Sequence, residues 1–192
     1  MFEIDWKKEV FTIPNILSLF RLLLIPVYVV IYINAKQPHA YFIAGTILAV
    51  SCLTDLIDGQ IARHFNMISN LGKVLDPFAD KATQFALILC LSIKYRSMQP
   101  VLFMFLTKEI FQATLAWFRF RQGKVLSGAL LAGKICTTVL FLSLILLVLM
   151  PNLSERIVNT IALIDFVFLA FAFTQYVFAF LSKHTKMQNY EA

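Results

Sequence analysis

Six apolar runs, each long enough to cross a bilayer, take up most of this chain, at about 14–34, 40–63, 74–93, 99–120, 128–150 and 156–181. A hydrocarbon core about 30 Å thick takes ~20 residues of apolar helix to span. The runs therefore predict an all-α integral membrane protein with six transmembrane helices, forming one membrane domain over residues 1–192. The breaks between them carry turn chemistry: Asn34 to Pro38, Asn66 to Asn70, Lys94 to Gln99, Arg121 to Lys124 and Pro151 to Ser154. Composition agrees, with 59% hydrophobic residues, 19 Phe and only 15% charged residues. A soluble domain averages about 45–50% apolar and about 25% charged residues. No fold of this size buries so much apolar surface in water, so lipid must cover the remainder. Nothing reads as a soluble domain, a linker, a low-complexity tract or an inverted repeat of the transporter kind.

The opening residues 1–10 alternate charged and apolar groups and carry no apolar core with a small-residue cleavage site, so no cleavable signal peptide is expected. Residues 2–12 instead predict a short amphipathic helix on the membrane surface, anchored by Phe2, Ile4, Trp6, Val10 and Phe11. Cys52, Cys90 and Cys136 are scattered through apolar surroundings, with no CxxC or Cys/His cluster. They read as reduced, buried small hydrophobes, which excludes a disulfide framework and a zinc site.

Loop charge orients the bundle. With the N-terminus in the cytoplasm, that side carries Lys7, Lys8, Arg63, Lys73, Arg119, Arg121, Lys124, Lys183 and Lys186. The other side carries only Lys36, Lys94, Arg96 and Arg156. The bias follows the positive-inside rule and predicts cytoplasmic termini. The net charge of +6 is then mostly cytoplasmic, a surface that favours anionic lipid headgroups and phosphorylated substrates and implies no nucleic-acid partner. Arg21, Lys81, Lys108 and Lys134 lie inside or at the edge of four different apolar segments, all toward the cytoplasmic side. Snorkelling would explain any one of them. Four at one depth point to an anionic ligand.

The chemistry is concentrated between Asp55 and Lys81. Asp55 and Asp58 are spaced i, i+3, and Asp76 and Asp80 are spaced i, i+4, so each pair shares a helix face. One pair ends the second run and the other begins the third, and the short turn between them forms a helical hairpin that gathers four carboxylates at the cytoplasmic end. Unpaired, such carboxylates would repel one another and take up protons. Divalent cations with a taste for hard oxygen, Mg²⁺ or Mn²⁺, resolve the conflict and keep positions open for water and phosphate. Gly59, Ala62 and Gly72 are small enough to let a nucleotide lie against the helix backbones, and Arg63 is placed to meet its diphosphate.

The segment reads D-x2-D-G-x2-A-R-x8-G-x3-D-x3-D from Asp55 to Asp80 without a departure. It resembles the signature of the CDP-alcohol phosphatidyltransferases, membrane enzymes of about six helices. The resemblance implies transfer of a substituted phosphate from a CDP-alcohol to a second alcohol, with release of CMP. It implies two divalent ions on Asp55, Asp58, Asp76 and Asp80, with Asp80 also deprotonating the acceptor. It implies nucleotide contacts from Asn15, Asp58, Gly59, Ala62, Arg63 and Gly72, and homodimers, which the family often forms.

Further phrases narrow the likeness. Pro14 to Arg21 looks like the P-N-x-[LI]-[ST]-x-x-R opening of phosphatidylglycerophosphate and cardiolipin synthases, and Leu75 to Lys81 is similar to their LDPxADK. Lys108-Glu109-Ile110 stands where they carry Arg-Glu-Ile, and Gly133-Lys134 where they carry G-K-x-K-T. Cys136 replaces the second lysine of that phrase, and Trp117 and Arg119 stand in place of an arginine usually found beyond Glu109. These departures bear on the acceptor, not on the reaction type. The substrates implied are CDP-diacylglycerol and glycerol 3-phosphate, with phosphatidylglycerol as second acceptor and inositol phosphate and serine behind it. Arg21, Lys108, Lys134 and Arg119 are the expected grip on the acceptor phosphate, in a bacterial inner membrane with the site on the cytoplasmic side.

Rival readings explain less. A proton- or ion-coupled transporter accounts for clustered intramembrane aspartates but not for Gly59, Ala62, Arg63 and Gly72 at their spacings. Gly128 to Lys134 imitates a phosphate-binding loop, but Ile135 stands where Ser or Thr is needed and no strand precedes it. Asp165, the three histidines and the Phe-rich run 166–180 receive no chemical role.

Overall fold

The computed structural model describes residues 12–64, 71–121 and 131–188, and all of their regular structure is helical. The helices are α1 (Ile13–Ile33), α2 (Pro38–His64), α3 (Gly72–Lys94), α4 (Gln99–Arg121), α5 (Leu131–Leu149) and α6 (Glu155–Gln188), with a single 3-10 turn, Arg96–Met98, leading into α4. The surface helix expected at 2–12 lies outside the described residues, apart from Thr12.

Local chemistry sets the helix limits. α1 starts behind an extended Thr12 with Pro14 in its first turn, where a missing N–H costs nothing. It stops at Asn34, whose backbone N–H and side-chain amide both donate to the Val30 carbonyl, at 3.2 and 2.7 Å. α6 starts after Ser154, whose carbonyl accepts from Val158 at 3.1 Å, and Glu155 in the first turn suits the positive end of the helix dipole. At 34 residues α6 is about 51 Å long, well beyond a hydrocarbon core of about 30 Å. Within it, Glu155–Phe178 is long and apolar enough to cross a bilayer.

Two compact units make up the chain, one of Met1–Leu91 with Ile145–Asn152, the other of Ser92–Leu144 with Leu153–Ala192. In the first unit α1 packs along α2. Leu24 and Tyr28 of α1, Leu48 and Ser51 of α2, and Thr83 and Leu87 of α3 surround a void of about 10 Å³, room for about one water molecule. Gly45 of α2 lets Leu149 come so close that an added Cβ would stand 2.8 Å from its Cδ2. In the second unit α4 packs on α6, with Phe111 and Phe173 edge to face at 5.2 Å.

Large apolar side chains stand uncovered all along these helices: Leu23 is 69% exposed, Phe42 72%, Phe103 74% and Phe178 68%. A soluble monomer does not sustain such a surface, whereas hydrocarbon is its natural solvent. The protein is a multi-pass membrane protein.

Three helices among the described residues are long and apolar enough to cross a bilayer, Asn15–Ile33, Arg96–Phe118 and Glu155–Phe178, where six crossings are expected from the sequence. The physical reason is plainest in α3. Lys73, Asp76, Asp80 and Lys81 occupy its first turns and leave only the remainder continuously apolar. In α2 and α5 the apolar stretches among the described residues are shorter, His39–Ser51 and Ile135–Leu149.

Candidate active site

Two helix ends carry the signature. Asp55, Asp58, Gly59, Ala62 and Arg63 fall in the last turns of α2, while Gly72, Asp76 and Asp80 fall in the first turns of α3. The side chains of residues 55–64 and the intervening 65–70 lie outside the described residues. α3 is therefore where the geometry can be followed.

Asp76 and Asp80 stand one turn apart on one face of α3, both half-buried. Pro77 between them removes the N–H that would bond back to the carbonyl of Lys73, close to the helix start where one lost bond is least disruptive. Each carboxylate has a partner. The Ser18 hydroxyl of α1 donates to Asp76 Oδ1 at 2.5 Å, and the Gln84 amide donates to Asp80 Oδ2 at 3.2 Å. Ser18 and Gln84 are almost fully buried, so both donors are themselves held in place. A hydrogen bond to a carboxylate fixes its direction.

α1 faces these aspartates with a polar stripe. Asn15, Ser18 and Arg21 recur every three residues and all are buried, Arg21 to 2% exposure. Below them the same side of the helix turns aromatic, with Tyr28 and Tyr32 buried and tilted against each other at 5.7 Å. So the first unit contains Asn15 and Arg21, expected at the nucleotide and the acceptor, on the helix that grips Asp76. Gly72 is also buried there.

Lys108, Arg119 and Lys134 belong to the second unit. Lys108 of α4 is buried to 2% exposure, and its ammonium meets Glu109 at 2.5 Å and Gln112 at 3.2 Å. A buried ammonium needs such neighbours, because desolvating it alone is strongly unfavourable. The side chains of Arg119 and Lys134 lie outside the described residues. Beside Lys134, Gly133 is buried with the Tyr176 hydroxyl directly over it, so that an added Cβ would collide with that oxygen. Asp165, which has no chemical role in the sequence reading, is buried and accepts a hydrogen bond from Ser143 at 2.6 Å, joining α6 to α5.

Sequence reasoning missed Ser18 and Gln84 as partners of the aspartates and Tyr176 as the reason for Gly133. For Ser18 a signal existed, since it falls midway between Asn15 and Arg21 in a three-residue rhythm.

The donors present suit a hard divalent cation. Two carboxylates one turn apart would repel each other in a partly desolvated setting, and their oxygens are the ligands that Mg²⁺ and Mn²⁺ prefer. Among the described residues no group of three or more His, Cys, Asp or Glu is gathered in metal-binding range, and Asp76 and Asp80 are half of the expected set.

The family profile described as CDP-alcohol phosphatidyltransferase matches residues 11–179. The CDP-diacylglycerol–glycerol-3-phosphate 3-phosphatidyltransferase of Salmonella typhimurium is 32% identical over 148 residues, covering 74% of this chain and 80% of that protein. The enzyme of the same name from Escherichia coli K12 is 32% identical over 146 residues, with the same coverage. A cardiolipin synthase (CMP-forming)/mitochondrial hydrolase fusion protein of Schizosaccharomyces pombe is 41% identical over 91 residues, which are 46% of this chain and 14% of the fusion. With the signature intact and the match running nearly end to end, the chain belongs to the CDP-alcohol phosphatidyltransferase family.

Proposed function

We propose that this enzyme transfers the phosphatidyl group of CDP-diacylglycerol to glycerol 3-phosphate and releases CMP. The observation that carries the reading is the Asp76–Asp80 face of α3, anchored by Ser18 and Gln84, inside a signature with no departures. The relatives of 32% identity that bear the name of this reaction support the choice of acceptor.

In this reading the acceptor's hydroxyl oxygen attacks the phosphorus that carries the diacylglycerol. The new P–O bond forms as the P–O bond to CMP breaks, and CMP leaves with the electron pair. The hydroxyl proton passes to the Asp80 carboxylate, which the Gln84 amide orients at 3.2 Å. Asp55, Asp58, Asp76 and Asp80 would hold two divalent ions, Mg²⁺ or Mn²⁺. When bound, such ions supply neutralisation of the diphosphate and of charge building on the leaving group. Ser18 holds Asp76 in one direction. Asn15, Asp58, Gly59, Ala62, Arg63 and Gly72 seat the nucleotide, while Arg21, Lys108, Lys134 and Arg119 take the acceptor phosphate.

The architecture that goes with it is a single membrane domain of six crossings, with both termini and the active site cytoplasmic, in a bacterial inner membrane. A homodimer is part of the same reading. Phosphatidylglycerol is the second acceptor, favoured by the 41% identity to the cardiolipin synthase fusion.

An acceptor panel tests the assignment. Purified protein with CDP-diacylglycerol and Mn²⁺ releases CMP fastest with glycerol 3-phosphate. Faster release with phosphatidylglycerol, inositol phosphate or serine would replace it as the substrate.

A further inference from the structure

The candidate spans of α4 and α6 start at Arg96 and Glu155, and the two helices pack together. At that shared start lies a recess of about 540 Å³, lined among others by Lys94, Tyr95, Arg96, Ser97, Glu155 and Asn159. Its volume is in the range of about 300–1,000 Å³ typical of sites for small ligands. All of these residues lie in the second unit. None of them is among the residues assigned to the transfer reaction.

Its chemistry is specific. Two cations and a serine hydroxyl line one recess. Lys94 stands with its ammonium 5.1 Å from the Tyr95 ring centroid. Partial burial lowers the Lys94 pKa from its ordinary value, a cost that a bound anion would relieve. Glu155, in the same recess, adds an acceptor for a hydroxyl or an ammonium group. Next in sequence to the lining residues, Ile93 is 63% and Ile157 46% exposed, so the recess opens beside surface that suits acyl chains.

We propose that this recess binds the phosphodiester headgroup of a membrane phospholipid in the leaflet where α4 and α6 begin. Lys94, Arg96 and Ser97 hold the phosphate, Glu155 accepts from the headgroup's hydroxyl or ammonium, and the acyl chains run down past Ile93 and Ile157. The inference rests on the membrane reading of these helices and not on the transfer reaction.

Native mass spectrometry of the full chain in neutral detergent tests it, with titrations of phosphatidylglycerol, phosphatidylethanolamine, diacylglycerol and inorganic phosphate. The two phospholipids are expected to remain bound while diacylglycerol is not. The K94Q/R96Q variant should retain one lipid fewer, or bind it about tenfold or more weakly, and K94R/R96K should keep it. Turnover of CDP-diacylglycerol should be the same in all three proteins, which also shows that each is folded. Equal lipid retention by the K94Q/R96Q variant would overturn the proposal, as would retention of diacylglycerol to the same extent. Binding of inorganic phosphate that the variant loses, with no change in lipid retention, would assign the recess to a free anion and overturn the lipid.

Discussion

The 2.5 Å contact between Ser18 and Asp76 joins residues 58 positions apart, and it fixes the carboxylate that begins the α3 half of the signature. Removing that donor leaves a half-buried carboxylate to find its own direction. A hydrogen bond to a charged group is worth about 1.5–3 kcal/mol, so Ser18→Ala should raise the Mn²⁺ concentration for half-maximal activity about tenfold or more. Ser18→Thr keeps the hydroxyl and should stay near wild type. An unchanged metal titration in Ser18→Ala would show that Asp76 is oriented by other groups. At the acceptor side, Lys108→Ala should raise the KM for glycerol 3-phosphate about tenfold to a hundredfold and leave the KM for CDP-diacylglycerol nearly unchanged. Equal KM values would mean that Glu109 and Gln112 alone account for this buried ammonium. The shared face of Asp76 and Asp80 was legible in the sequence because helical spacing is a local signal. Their partner Ser18 was not, because a contact between distant helices depends on how α1 and α3 pack.

Among the elements, α3 shows how a charged signature cuts an apolar run short. The charges that give its first turns their chemistry are the same ones that shorten its apolar stretch. Helical content and helix limits could be read from apolar runs and turn residues, since both are short-range features. One limit moved: α6 continues to Gln188, where the apolar run closes at 181, because a helix needs no lipid to hold its last polar turns. Close approach of helices was not legible. Gly133 was marked only by its place before Lys134, whereas the structure puts the Tyr176 hydroxyl of α6 against it in α5. Gly133→Ala should therefore destabilise the protein by about 1–3 kcal/mol, the usual cost of overpacking, read as a lower Tm in detergent. Adding Tyr176→Phe removes the colliding oxygen and should restore part of the loss. A Gly133→Ala protein as stable as wild type would mean that Tyr176 swings aside freely.

For the whole molecule, charge distribution gives an orientation that can be measured. With Cys52, Cys90 and Cys136 replaced by serine, single cysteines near Lys124 and Lys186 should be labelled from the cytoplasm, and those near Lys36 and Arg96 from the other side. The reverse pattern would put the aspartates on the face without cytosolic nucleotide. What the family implies beyond this is chemistry, and one measurement addresses it most directly. Radiolabelled glycerol 3-phosphate, CDP-diacylglycerol and Mn²⁺ are incubated with the purified enzyme, and label in the lipid phase is compared with CMP released. The account predicts one labelled lipid for each CMP, loss of both with EDTA and recovery on adding Mn²⁺, and loss of both in Asp76→Asn. Undiminished transfer in chelator, or CMP released with no label entering the lipid, would contradict it.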